Sequence, residues 1–392
     1  MKATGPNAGY TMEATDGTLD AWRSLWNLAK QGFATDTNYY HAQGLNPITH
    51  ERDPNYDVLL DVDNLIDYML MVFYDGDRDA PISNFLGNTR TNNWFGVRNR
   101  NGEEGFRFFV HDAEHIMSRG MTDRTGPYPC GDQFQYSNPQ WIHQQLVAHP
   151  EYRLRFADHA HKHLFHGGLL TADAAIARFL ARAEQIDMAI IAESARWGSS
   201  SLNKDTWLNA TNYEVHNFFP TRSQVVLNQF KRKDWYPDVE APAFKRHGGS
   251  FTKGSRLTIT ASSPVYYALD GADPREPGTG LPIGNLYDGP VPLEMTGLVK
   301  ARAMTGTNDW SALNEALFVL DTPSPLRITE VMYHSRAPSE GETDGNHTAG
   351  DFDFIELQNT GSSAIGLMGI AFTDGVAFDF TKGDVYSLAP GE

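Results

Sequence analysis

A chain of 392 residues exceeds what one ordinary hydrophobic core organises, so two to four domains are expected. With 49 acidic residues against 32 basic ones the net charge is −17, which argues against nucleic acid or an anionic membrane as the main partner; no run of 18 apolar residues is present to span a bilayer. The lone cysteine, Cys130, excludes an internal disulfide framework, and the opening MKATGPNAGYTMEATDG lacks the apolar core of a signal peptide, so either the protein is cytoplasmic or a targeting segment lies outside this sequence.

In chain order, TLDAWRSLWNLAKQG (18–32) places Trp22, Leu25, Trp26 and Ala29 on one face at helical spacing, with Thr18 as N-cap and Gly32 just past the end. Residues 33–57 are rich in Asn, Asp, Tyr and Pro and read as an irregular connection. The stretch the chain is organised around follows from Leu59: an amphipathic helix over 61–73 capped by Asp61 or Asp63, an acidic loop holding Asp79, a polar loop holding Asn93, a strand over 105–110, and the acidic pair Asp112 and Glu114. Residues 94–98 alternate well enough to pair antiparallel with that strand, which would set Asn93 and Asp112 at the same open end of a hairpin. Residues 118–139 read as a turn-rich loop. A helical block then runs from Pro139 to about Lys233, and its clearest member carries Ile176, Phe179, Ala183, Ile186 and Ile190 as one apolar stripe.

Around residues 234–242 helical stripes give way to alternation. Val265, Tyr267 and Leu269 alternate before Asp270-Gly271, and Val299, Ala301 and Ala303 alternate with Lys300 and Arg302, which predicts a small β-sandwich over 243–321. The linker DTPSP leads to a second β segment, RITEVMY, DFIELQNTG and IGLMGIAFTDG, with too few strands for a stable sandwich of its own. The sequence therefore reads as a multidomain α+β chain: a mainly helical lobe over 1–238, then two β-sandwich (Ig-like) modules over 243–321 and 326–392, the last expected to be incomplete.

Three stretches resemble known families. DAWRSLWNLAKQG, LDVDNLIDYML, NNWFGVRN and GFRFFVHDAEH resemble the C-terminal lobe of the CotH kinase-like family; VYYALDGADPR, YDGP and GLVKARA are similar to the chitobiase/β-hexosaminidase C-terminal (Fn3-associated) domain; LRITEVMY and DFIELQNTGSSAIGL resemble the start of a lamin-tail domain. The first resemblance implies an atypical kinase that uses Mg²⁺ and ATP to phosphorylate protein hydroxyls. On this sequence it assigns Asp79 as the catalytic-loop carboxylate and Asn93, Asp112 and Glu114 as metal ligands, because phosphoryl transfer needs oxygen ligands for Mg²⁺ and one carboxylate to accept the hydroxyl proton. Two departures bear on it. The family motif has an aromatic where Ala113 stands, and the match begins inside the domain, so the lobe with the nucleotide-cradling loop and Lys is expected outside this sequence and the chain alone should bind ATP weakly. The family is exported, which implies an extracellular or cell-surface location with the β-modules contacting protein, or alternatively carbohydrate.

The rival readings are a non-catalytic surface scaffold and a zinc peptidase, since His111-Asp-Ala-Glu114-His115 fits H-x-x-E-H; that chemistry needs both imidazoles on one helix face, and the strand abutting His111 leaves no room for it. His159, His163 and His166 fall at i, i+4 and i+7; a polar helix face is a commoner origin of such spacing than a metal site. The tyrosines and Trp310 of the first β-module are expected to pack across strands rather than to stack on sugars.

Overall fold

In a computed structural model all residues are described except 103, 119, 307, 322–323, 340–346 and 374. The chain divides into two units, one of Met1–Val239 with Pro277–Thr279, the other of Glu240–Glu276 with Gly280–Glu392. The architecture is mixed α+β, helices dominating the first unit and strands the second.

In the first unit a small antiparallel sheet is made of β1 (Lys2–Ala3), β2 (Met12–Glu13), β3 (Trp94–Val97) and β4 (Arg107–Val110) in the order β2-β1-β3-β4. Around it lie α1 (Asp20–Gln31), α2 (Asp36–Ala42), α3 (Val62–Asp75), α4 (Pro139–Leu146), α5 (Pro150–Leu164), α6 (Ala172–Trp197), α7 (Lys204–Tyr213) and α8 (Phe219–Lys231), the last two joined by a π-helical turn over Glu214–Phe218. Helix α1 buries Trp22, Leu25 and Ala29 at the spacing the sequence predicts, but it starts one residue later than a Thr18 cap would set it: Leu19 is the N-cap, and Thr18 receives the Asp20 N–H at 3.4 Å.

Helix α3 is capped as expected by Asp61, whose carboxylate accepts the Asn64 N–H at 3.0 Å. Asn64 then fastens the helix to β4: its Oδ1 accepts the Phe108 N–H at 2.6 Å and its Nδ2 donates to Phe108 O at 3.4 Å. Glycine is required at 105 for this docking, since a Cβ there would lie 2.3 Å from the Leu60 carbonyl carbon and 2.5 Å from the Asp61 nitrogen. Trp22, Trp94, Phe106 and Phe108 close the core between α1 and the hairpin, with Trp22 ring centroids 5.4–6.0 Å from the other three. A second aromatic cluster joins Phe73 of α3, Phe156 of α5, Phe230 of α8 and Trp235. The stripe predicted on α6 is present but shallow: Ala175 alone is fully buried, while Ile176, Phe179, Ala183, Ile186 and Ile190 are half-buried.

In the second unit the main sheet runs Asn285–Leu286, Val265–Ala268, Gly297–Thr305, Asn314–Leu320 and Gly249–Phe251, with Asp309–Trp310 paired to the long third strand. Among the described residues no helix lies between 250 and 320. Val299, Ala301 and Ala303 face inward as their alternation predicts, but Arg302 does not face solvent; it is 2% exposed and grips Asp273 through Nε–Oδ1 at 2.8 Å and Nη2–Oδ2 at 2.7 Å. Trp310 is buried, its ring 5.6 Å from Tyr266 and its Nε1 donating to Gly280 O at 2.9 Å, which is packing rather than an open sugar platform. From 326 onward the described strands form two-stranded ladders, the largest pairing Leu326–Met332 with Phe354–Asn359 across a register shift between Ile328 and Glu330.

Candidate functional site

The C-terminal end of α3 delivers the chain to the acidic loop. Gly76 caps the helix in the left-handed region (φ 65°), and the buried Arg222 guanidinium, reaching across from α8, donates to the carbonyls of Phe73, Tyr74 (2.5 Å) and Gly120 (2.6 Å). A cation seated on the last carbonyls satisfies orphan acceptors and the negative end of the helix dipole. Immediately beyond, Asp77 is 3% exposed and its Oδ1 accepts the N–H groups of Asp79 (2.9 Å) and Ala80 (3.0 Å), a side-chain turn that fixes the loop. Burial, and then the neighbouring Asp77 charge, push the Asp75 carboxyl up to about 7 against the pull of Arg222; burial raises Asp77 as well.

Asp79 is half-buried at the centre of this loop. Its Oδ1 accepts the Ser83 hydroxyl, and its Oδ2 accepts Nδ2 of Asn92 at 2.9 Å and of Asn93 at 3.1 Å. The hairpin register pairs Trp94 with Val110, so Asn93 and Asp112 leave it at the same end, both with positive φ (48° and 50°), and Asn93 Nδ2 also lies 3.4 Å from Asp112 O. With its NH₂ turned to two acceptors, Asn93 presents Oδ1 as the atom a cation would meet. Arg124 is buried beside the loop, donating to Asn88 Oδ1 at 2.9 Å and to Ile82 O, and the charges of Asp77 and Asp79 offset part of its desolvation.

Of the predicted site residues, then, Asp79 and Asn93 are bonded directly and Asp112 joins them through its backbone carbonyl. The Asp112 carboxylate is exposed. Glu114 is exposed too, and its carboxylate pairs with the adjacent His115 at 3.4 Å. Among the described residues no trio of carboxylates drawn from Asp79, Asp112 and Glu114 lies within 4.8 Å. The H-x-x-E-H residues are not helical: 111–113 are irregular and 114–115 a turn, His111 packing on Phe95 (4.7 Å) and His115 on Phe85 (4.6 Å), so the two imidazoles do not share a helix face.

Sequence reasoning missed a polar ladder between α3 and α5. Arg155 grips Asp63 through Nε–Oδ1 (2.6 Å) and Nη2–Oδ2 (2.7 Å); His159 Nε2 meets Asp63 Oδ1 at 3.1 Å and its Nδ1 meets Asp67 Oδ1 at 2.7 Å; His163 Nε2 lies 3.4 Å from Asp67 Oδ1. The available signal was the matching i, i+4 spacing of Asp63 and Asp67 on one helix and of Arg155, His159 and His163 on the other. Despite burial, the hydrogen bonds and charges of Asp63 and Asp67 raise His159 to about 9, and the same contacts hold both carboxyls well below their ordinary range. His166 stands apart from the ladder, past the end of α5 with φ 52°, its ring 5.7 Å from that of His161.

No protein-family model, no curated protein and no solved structure matches the chain. Among the described residues no helix is long and apolar enough to cross a membrane.

Proposed function

We propose that the chain is part of an exported CotH-type kinase-like protein. Its helical unit would offer Asp79, Asn93, Asp112 and Glu114 to Mg²⁺-bound nucleotide, and its β-rich unit would bind a protein or cell-surface partner, with carbohydrate as the alternative ligand. The observation that carries this reading is the meeting of Asp79, Asn93 and Asp112 at the open end of the β3–β4 hairpin, from positions 14 and 19 residues apart. Phosphoryl transfer asks little covalent chemistry of the protein; it asks for oxygen ligands around Mg²⁺ and a carboxylate beside the acceptor hydroxyl. Asn93 Oδ1 and the exposed Asp112 and Glu114 carboxylates are of the right type for the cation. Asp79, oriented by Ser83, Asn92 and Asn93, is the candidate to receive the proton.

A second reading, a non-catalytic scaffold, is favoured by how fully Asp79 is occupied: three side-chain donors already take up its two oxygens. A carboxylate so engaged serves a loop better than it serves an incoming hydroxyl. The two readings part in one experiment. Mn²⁺, a paramagnetic stand-in for Mg²⁺, is titrated into the full chain and its binding followed by electron paramagnetic resonance. The kinase reading, with the nucleotide lobe outside this sequence, expects weak binding that falls at least tenfold in Asn93→Ala and in Asp112→Asn; binding that is absent, or indifferent to both substitutions, leaves the scaffold.

A further inference from the structure

We propose that Asp67 of α3 together with His159 and His163 of α5 forms a binding site for a divalent transition-metal ion of the zinc class. Among the described residues this is the one group of three or more His, Cys, Asp or Glu side chains whose ligand atoms all lie within 4.8 Å of one another. The atoms are Asp67 Oδ1, His159 Nδ1 and His163 Nε2, with Asp67 Oδ1 2.7 Å from the first nitrogen and 3.4 Å from the second. Tetrahedral zinc with bonds of about 2.0–2.1 Å sets its ligand atoms about 3.3 Å apart, so the cation needs His159 to withdraw by about half an ångström while His163 is already at the right spacing. Two imidazole nitrogens and one carboxylate select zinc, nickel or copper over magnesium or calcium, which prefer all-oxygen shells.

The surroundings are those of a held site. His159 Nε2, the nitrogen turned away from the ligand cluster, meets Asp63 at 3.1 Å, and Asp63 is itself clamped by Arg155. A carboxylate on the far nitrogen fixes the ring and raises its basicity toward a metal. Both helices are anchored by buried side chains beside the site residues, α3 through Leu65, Ile66 and Met69 and α5 through Phe156, Ala160 and Leu164. Half of the Asp67 side chain and about a fifth of each imidazole remain open to solvent (50%, 21% and 17%), leaving room for water as a fourth ligand. The titratable and charged groups facing the site from the two helices are Asp63, Asp67, Arg155, His159 and His163. The inference is independent of the kinase reading and uses none of its residues.

The full chain, treated with chelator and dialysed, is titrated with ZnCl₂ by calorimetry and, separately, with CoCl₂ while the visible d–d bands of four-coordinate cobalt are followed. One equivalent is expected, with the cobalt bands present, and affinity at least tenfold lower in His163→Gln and in Asp67→Asn. Asp63→Asn, a change at the residue that meets His159 on its far nitrogen and is held by Arg155, is expected to weaken binding about 10- to 100-fold. His111→Ala and His115→Ala are expected to bind as the parent does, and circular dichroism in chelator checks that every variant is folded. Absence of stoichiometric binding in the folded parent overturns the proposal, as does binding that survives His159→Ala with His163→Gln, or that is lost in His111→Ala or His115→Ala.

Discussion

Two of the buried arginines, Arg222 and Arg302, carry more of this molecule than their number implies. Arg222 holds three backbone carbonyls, those of Phe73 and Tyr74 at the end of α3 and that of Gly120, with the whole side chain out of water. Arg222→Ala would strand those acceptors at about 1–3 kcal/mol apiece before relaxation, and urea unfolding is expected to show a loss of about 3 kcal/mol or more; a loss below about 1 kcal/mol would mean that water takes the place of the guanidinium. Arg302 and Asp273 make the corresponding pair in the β-rich unit. Removing the carboxylate alone, as Asp273→Ala, leaves a desolvated cation and is expected to cost about 3–5 kcal/mol, whereas replacing both partners with apolar residues should cost much less. Asp75 gives stability a pH dependence of unusual sign for a carboxylate. Because its folded value is raised to about 7, the folded protein keeps a proton that the unfolded chain releases near 4. The contribution is whole below about pH 4 and is lost as the pH rises through about 7; Asp77, raised by burial, acts in the same direction, and the opposing cations are Arg222 for Asp75 and Arg124 for Asp77. Asp75→Asn should flatten most of that decline in thermal or urea unfolding measured from pH 4 to 8, and an unchanged slope would show that the group is solvated in the folded protein.

At the scale of elements, the docking of α3 on β4 depends on one close approach. Gly105→Ala would drive a Cβ into the backbone of Leu60 and Asp61, a rigid obstacle, and the expected cost is about 3 kcal/mol, the upper end for overpacking. The elements also differ in how deeply they are seated. Helix α3 buries nine side chains and α6 buries one, while the strand Leu326–Met332 has every residue exposed or half-exposed. The sequence predicts residues 326–392 to be less stable than the helix near 173–195; the structure makes α3 the better reference, because α6 is itself shallow. Hydrogen exchange should therefore rank α3 slowest, with both α6 and the 326–359 ladder exchanging faster. Protection over 326–332 equal to that over 65–73 would count against the ranking.

For the molecule as a whole, the passage from helices to strands falls at Val239–Glu240, where Asp238 and Glu240 are exposed. Limited proteolysis is expected to nick between 237 and 243 and to yield an N-terminal piece with helical circular dichroism; resistance there, with cutting confined elsewhere, would contradict the boundary. Some carboxylates meet cations within the fold, in the α3–α5 ladder and in the Arg302–Asp273 pair, but the excess that makes the net charge −17 has no basic counterpart and repels a polyanionic ligand.

What the sequence determined by itself was local and periodic. The 3.6-residue stripes located α1, α3 and the α4–α8 block, the alternation at 265–269 and 299–303 located strands, and the pattern of 94–110 placed Asn93 and Asp112 at one end of a hairpin, because side-chain direction along a regular element is set by the backbone alone. What only the tertiary structure decided was which charges found partners. Lys300 and Arg302 alternate identically in sequence, yet Arg302 is buried against Asp273 from 29 positions away. Asp67 and His159 are 92 positions apart, and the i, i+4 spacing on each helix marks a polar face without saying which face it meets. Asp79 gained its three donors from residues 4, 13 and 14 positions downstream, which only the folded loop brings together. Electrostatic partnership depends on distance in space, and until the chain is folded a solvated charge and a buried one look alike.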